Sequence, residues 1–173
     1  RYGDTPVYYS DIVVRRDSRF RTFTDLRGAA WAYNQPHSHS GFNVVRRHLA
    51  SLGETQGFFG SAIESGAHQV SLQMIIDATI DASAIDSTVL EAELARNPRL
   101  HEQIRVIETL GPSPMPPWVM LKALAPQLRG GLRDALLGMH GDAEGARILA
   151  QWGIGRFAAV RDADYDPIRR MAQ

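Results

Sequence analysis

The chain has 173 residues, 44% of them hydrophobic and 22% charged, a balance that suits a globular core. Its 19 Lys and Arg match 19 Asp and Glu, which argues against the strongly basic face that duplex nucleic acid requires but leaves room for a local anion site. Without cysteine there is no disulfide scaffold, zinc–cysteine centre or thiolate nucleophile, and no run approaches the ~20 apolar residues of a membrane helix.

In chain order, PVYYSDIVVRRDS reads as a strand, with Tyr8, Ile12, Val13 and Val14 supplying β-propensity. FTDLRGAAWAYN predicts a short helical turn and then a strand over Ala29–Tyr33. A helix is expected from about Gly41 to Leu52, because Val44, Val45, Leu49 and Leu52 share a face. A weak strand follows around Ala62–Glu64. Leu72, Ile75, Ile76 and Ile80 then recur at helical spacing and predict a helix from about His68 to Ala78. DASAID is bounded like a buried strand. STVLEAELAR reads as a helix with Ser87 or Thr88 at its N-cap. IRVIETL is a strand, and PSPMPPWVML reads as a proline-stiffened crossing into another. The remainder is expected to be helical, from the spacing of Leu128, Leu132 and Leu136 and then of Ala146, Leu149 and Ala150. Alternating strands and helices predict an α/β fold on a mostly parallel sheet. Trp31, Trp118 and Trp152 are expected in the core or at its rim.

Ligands of open α/β sheets collect beyond the carboxyl ends of the strands, where helix N-termini also point. Three turns fall at such places: HSHSG, ESGAH and IDST. Unpaired N–H groups and the helix dipole suit an oxyanion there. Ser38 and Ser40 offer hydroxyl donors, Gly41 lets a ligand approach the backbone, and His39 and His68 offer imidazole nitrogens. Asp86 accepts from a protonated ligand oxygen or an amine. Plainer readings stand beside these. Ser and Asp before helices are commonly N-caps, and His37, His39 and His68 lack zinc-site spacing. A Ser40–His68–Asp86 hydrolase would lack the G-x-S-x-G elbow. No cofactor or metal is expected.

The ordered set YYSDIVVRRDS, FTDLRGAAWAYN, HSHSGFNVVRRHL, ESGAHQVSLQMIIDATIDASAIDS and ETLGPSPMPPWVM resembles the phosphonate/phosphate-type solute-binding proteins of ABC importers. The resemblance runs from about Tyr8 to Met171. It implies the type II periplasmic-binding-protein fold, two-lobed in full-length form, and capture of a small oxyanion such as a phosphonate, phosphate or phosphite, with no reaction catalysed. The family's Ser-Thr-Ser-Gly turn corresponds to Ser38, His39, Ser40 and Gly41, with histidine in place of threonine. Its second turn corresponds to Ser65, Gly66, Ala67 and His68, and a later acidic position to Asp86. Tyr8 is a further candidate, reaching the ligand from the first crossing. The resemblance further implies residues 1–15 as a first hinge crossing, 16–106 as lobe two, and 107–173 as a second crossing with helices returning to lobe one. The first part of lobe one is then expected to be missing from this chain. Implied partners are the permease subunits of an importer, with no nucleic acid and no membrane span. The implied location is periplasmic or otherwise extracytoplasmic, with a lipid anchor conceivable, although no signal region is visible. A biosynthetic enzyme or the effector-sensing domain of a regulator would use the same fold.

Overall fold

The computed structural model describes residues 5–54 and 56–171. Residues 1–4 of the first expected crossing and the last two residues of the chain lie outside that range. Among the described residues the strands form one sheet in the order β3-β2-β4-β1-β5. They are β1 (Val7–Arg15), β2 (Ala30–Tyr33), β3 (Ser61–Glu64), β4 (Ala82–Asp86) and β5 (Ile104–Pro114). β2 pairs in parallel with β3 and with β4, whereas β4 pairs antiparallel with β1. The sheet is therefore mixed: β3, β2 and β4 are mutually parallel, as expected, and β1 runs against them. Nothing in the composition of β1 marks its direction, because its buried run is as apolar as a parallel strand's.

Alternation along the strands places core on both faces. Ile12 and Val14 of β1, Trp31 of β2 and Ala82 and Ala84 of β4 join one cluster with Phe23, Leu26, Val44, Val45 and Phe58. Val13, Ala32 and Ile85 point the other way and meet Leu72, Ile75, Leu90 and Leu100. A sheet covered on both faces explains why β1 and β4 read as continuous apolar runs.

The first cluster is covered by a 3-10 turn (Phe23–Leu26) and α1 (Val44–Ser51), and the second by α2 (His68–Ile76), α3 (Ser87–Arg96) and α4 (Leu100–Gln103). Several boundaries differ from expectation. β2 begins one residue late, at Ala30. The helix expected from Gly41 opens as a π-helical turn over His39–Asn43 before α1 proper. α2 ends at Ile76 because Ala78 takes a left-handed φ of 56°, and Ile80 joins the second cluster from beyond the helix. Asp86 caps α3, in place of Ser87 or Thr88, by accepting the Thr88 N–H at 2.9 Å. Pro112 and Pro114 lie within β5, at the sheet edge where a missing N–H is tolerated. No strand follows in Met115–Leu121.

Contact density divides the chain at Ser113/Pro114. One unit holds the sheet as far as Ser113 of β5, with α1–α4 and α7 (Asp166–Met171). The other, Pro114–Tyr165, holds α5 (Pro126–Gly138) and α6 (Ala143–Gln151). Within it Tyr165 donates to the Met115 carbonyl at 3.0 Å, and Trp118 meets Phe157 edge-on. Trp31 is buried as expected, but Trp118 and Trp152 are 73% and 76% exposed and belong to no core.

Candidate functional site

β2 and β4 run in parallel, so the turn after β2 and the cap of α3 open at the same end of the sheet. β1 runs against them and begins there, which brings Tyr8 to the same end. The first turn is shaped by Ser38, whose Oγ accepts the Gly41 N–H at 3.1 Å and whose carbonyl accepts the Asn43 N–H at 3.0 Å. Ser38 is thus an N-cap, and the Gly41 amide is already engaged with it. One residue further, Ser40 Oγ lies 3.2 Å from His68 Nε2 in a buried contact. The Tyr8 phenol stands close enough to the same Ser40 hydroxyl for the two to act on each other.

Asp86 is near enough to act on this group by charge. Burial, chiefly, and then the Asp86 charge push the Tyr8 phenol up to about 12, so it stays protonated and able to donate. His68 is held below the usual imidazole range by burial, against the opposing pull of Asp86 and the Ala84 backbone carbonyl. Asp86 Oδ1 receives both the N–H and the hydroxyl of Thr88, at 2.9 and 2.7 Å. Its effect on His68 is that of a nearby charge, so a Ser–His–Asp relay is not assembled.

His39 turns elsewhere. Its Nε2 lies 3.0 Å from Ser113 Oγ at the end of β5, and its ring meets Tyr8 edge-on with centroids 6.4 Å apart. Burial lowers its pKa as well. His37 is exposed and joins neither ring. Among the described residues no group of three His, Asp or Glu converges as a metal site. Ser65, in the second turn, is satisfied internally through the Tyr33 and Ala67 carbonyls and Ser71 Oγ.

Tyr8, Ser40, His68 and Asp86 therefore form one linked group, His39 flanks it through Tyr8, and Ser38 and Gly41 build the turn that carries Ser40. Two members were not anticipated. Ser113 gave no signal beyond its place among prolines. Asn34, whose Nδ2 lies 3.3 Å from His68 Nε2, had a usable one: a carboxamide immediately after an apolar strand.

Both lowered histidines bear on stability. Their folded pKa values lie below the unfolded value of ~6.5, so between the two the unfolded chain binds the extra protons. Stability is then full above about pH 6.5 and declines as pH falls below it. Calorimetric melting at pH 7, 6 and 5 should show a falling Tm, with a shallower fall in a His39→Gln/His68→Gln double variant. Equal slopes would mean the two rings do not carry the effect.

A mixed sheet of this order, with helices on both faces and hydroxyl-bearing turns beyond its strands, defines an α/β binding-protein domain. A family model described as ABC transporter, phosphonate, periplasmic substrate-binding protein matches residues 1–165, and the chain belongs to that family. The fold is also that of solved structures of such proteins. A binding protein component of an ABC phosphonate transporter from Pseudomonas aeruginosa superposes with a TM-score of 0.84 at 21% identity, over 97% of this chain and 57% of that one. PhnD1 from Prochlorococcus marinus, in complex with methylphosphonate, gives 0.87 at 18% identity, over 99% and 68%. The aliphatic sulphonate binding protein SsuA from Escherichia coli gives 0.57 at 15% identity, over 99% and 68%. This chain thus spans between about half and two thirds of the length of these proteins. No helix among the described residues is long and apolar enough to cross a membrane.

Proposed function

We propose that this chain is the ligand-binding part of the extracytoplasmic component of an ABC importer and captures a small tetrahedral oxyanion of the phosphonate or phosphate kind. The observation that carries this reading is the meeting of Ser40, His68, Tyr8 and Asp86 where a helix begins beyond the sheet. The opening N–H groups of a helix lack intrahelical acceptors and carry the positive end of its dipole. Ser40 and the protonated Tyr8 add hydroxyl donors, each bond to a charged oxygen contributing ~1.5–3 kcal/mol. A fully deprotonated ligand beside Asp86 would meet like charge, so the site favours one that keeps a proton or carries an amine. Family membership and the methylphosphonate complex of PhnD1 support the same class of ligand.

In this reading residues 1–15 and the segment from 107 carry the chain between two lobes, 16–106 form lobe two, and the last helices return to lobe one. No bond is made or broken. Capture of the anion closes the lobes, and permease subunits read the closed form.

The test is a thermal-shift panel on protein made from the complete coding sequence, with phosphate, phosphite, methylphosphonate, methanesulfonate and arginine. A ligand at a hundred times its Kd stabilises by about 2.7 kcal/mol. At roughly 2–4 °C per kcal/mol for a chain of this size, at least one tetrahedral anion should raise Tm by about 5–11 °C, and arginine should not. A flat response to every tetrahedral anion defeats the proposal. Turnover of any of them would favour the enzymatic alternative.

A further inference from the structure

Asn34 follows the last residue of β2 and touches both functional turns. Its carbonyl accepts the Gly66 N–H at 2.9 Å, beside the bond from Ser65 N–H to the Tyr33 carbonyl at 2.9 Å. Gly66 needs its left-handed φ of 87° to make that approach. The Asn34 carboxamide then lies across the other turn. A Cβ on Gly41 would sit 2.0 Å from Asn34 Oδ1 and 2.8 Å from its Cγ. The glycine at 41 therefore makes room for this side chain as well as for any ligand. From there Nδ2 reaches His68 Nε2 at 3.3 Å, the nitrogen that Ser40 Oγ approaches at 3.2 Å.

We propose that Asn34 is a positioning residue: it locks the turn at 38–41 onto the turn at 65–68 and holds His68 as the neutral imidazole protonated at Nδ1, with Nε2 as an acceptor toward Ser40. An amide NH2 group only donates, so the nitrogen it faces must offer a lone pair, and the single ring proton then sits on Nδ1. An imidazolium would set its Nε2–H against the Asn34 N–H, so Asn34 opposes charging of the ring. Burial acts in the same direction. The titratable neighbours are Asp86 at the end of β4, whose charge opposes this, and the Tyr8 phenol on β1, which is neutral. Resting on the oxyanion reading above, one consequence follows. In the free protein the Ser40 proton is committed to His68. An anion that takes this hydroxyl as donor leaves Asn34 as the donor to Nε2, so His68 stays neutral as the anion binds.

Imidazole 15N NMR of the unliganded, complete protein between pH 5 and 8 tests the assignment. His68 in the unsubstituted protein should show a protonated Nδ1 and a bare Nε2. Asn34→Asp keeps the volume but sets a carboxylate beside the ring, which should move the proton to Nε2 and raise the His68 midpoint by about one to three pH units. Gly41→Ala, which must push the carboxamide aside, should also raise the midpoint, by less. A proton on Nε2 in the unsubstituted protein, or an Asn34→Asp midpoint equal to the parent's, overturns the proposal. The first readout needs no variant, so a variant that does not fold leaves the test intact. Neither readout needs a ligand, so this inference and the oxyanion reading fail separately.

Discussion

Replacing Ser40 with alanine should weaken binding of methylphosphonate by about tenfold to a hundredfold while leaving the protein folded. Ser40 is 5% exposed, sits in the first turn of the helix that begins beyond β2, meets His68 through its hydroxyl and lies near the Tyr8 phenol. A hydrogen bond to a charged group contributes ~1.5–3 kcal/mol, and each ~1.4 kcal/mol is tenfold in affinity. The structural cost should be smaller, because His68 Nε2 keeps the Asn34 amide as a partner. Ser65→Ala is the informative contrast. Its hydroxyl is engaged within the turn, with the Tyr33 and Ala67 carbonyls and Ser71 Oγ all in reach, so the loss should appear in Tm rather than in affinity. Titration calorimetry on both variants separates the roles, and an unchanged Kd for Ser40→Ala would take Ser40 out of the site.

The largest effect on stability is expected far from the ligand. Phe23 is 1% exposed and stacks on Phe58 at 5.3 Å, with Phe59 and His48 edge-on at 6.2 and 4.6 Å. It is held there by a short 3-10 turn whose Asp25 carboxylate accepts the N–H groups of Arg21 and Thr22. The three rings around this position cannot close over the void that alanine would leave. Such truncations cost ~3–5 kcal/mol, and at roughly 2–4 °C per kcal/mol Tm should fall by about 6–20 °C. A fall of only a degree or two by scanning calorimetry would mean that this cluster repacks freely and is not a fixed core.

The parts of this fold legible in the sequence are those written as local periodicity. α2 and α3 and the strands β1 and β4 announce themselves through apolar spacing and β-branched runs. What was not legible depends on partners distant in the chain. The direction of β1 is fixed by pairing with β4, whose partner residues stand 68 to 76 positions further along the chain. The strand expected after Pro117 is absent, since its apolar residues alone do not supply a neighbouring strand; Val119 is 83% exposed. The cap of α3 falls at Asp86 because a carboxylate closing on two donors of Thr88 outcompetes a serine one residue on.

The candidate site divides in the same way. Ser40, His68 and Asp86 could be proposed because they stand in turns at helix starts, and the structure brings them together with Tyr8. The separation of duties could not be read. Ser38 and His39 immediately precede Ser40, yet one caps the turn and the other reaches Ser113, 74 residues on. Asn34 went unremarked because a carboxamide after a strand ordinarily reads as a loop residue. Its importance emerges only once Gly41 and His68 are seen to converge on it.

The most direct measurement is a crystal structure of the complete protein with methylphosphonate. Phosphonate oxygens should lie within hydrogen-bonding distance of Ser40 Oγ and of main-chain N–H groups at the start of the helix, beside His68. A ligand seated elsewhere, with the Ser40–His68 contact unbroken and shielded from it, would contradict the claim that this turn binds the anion.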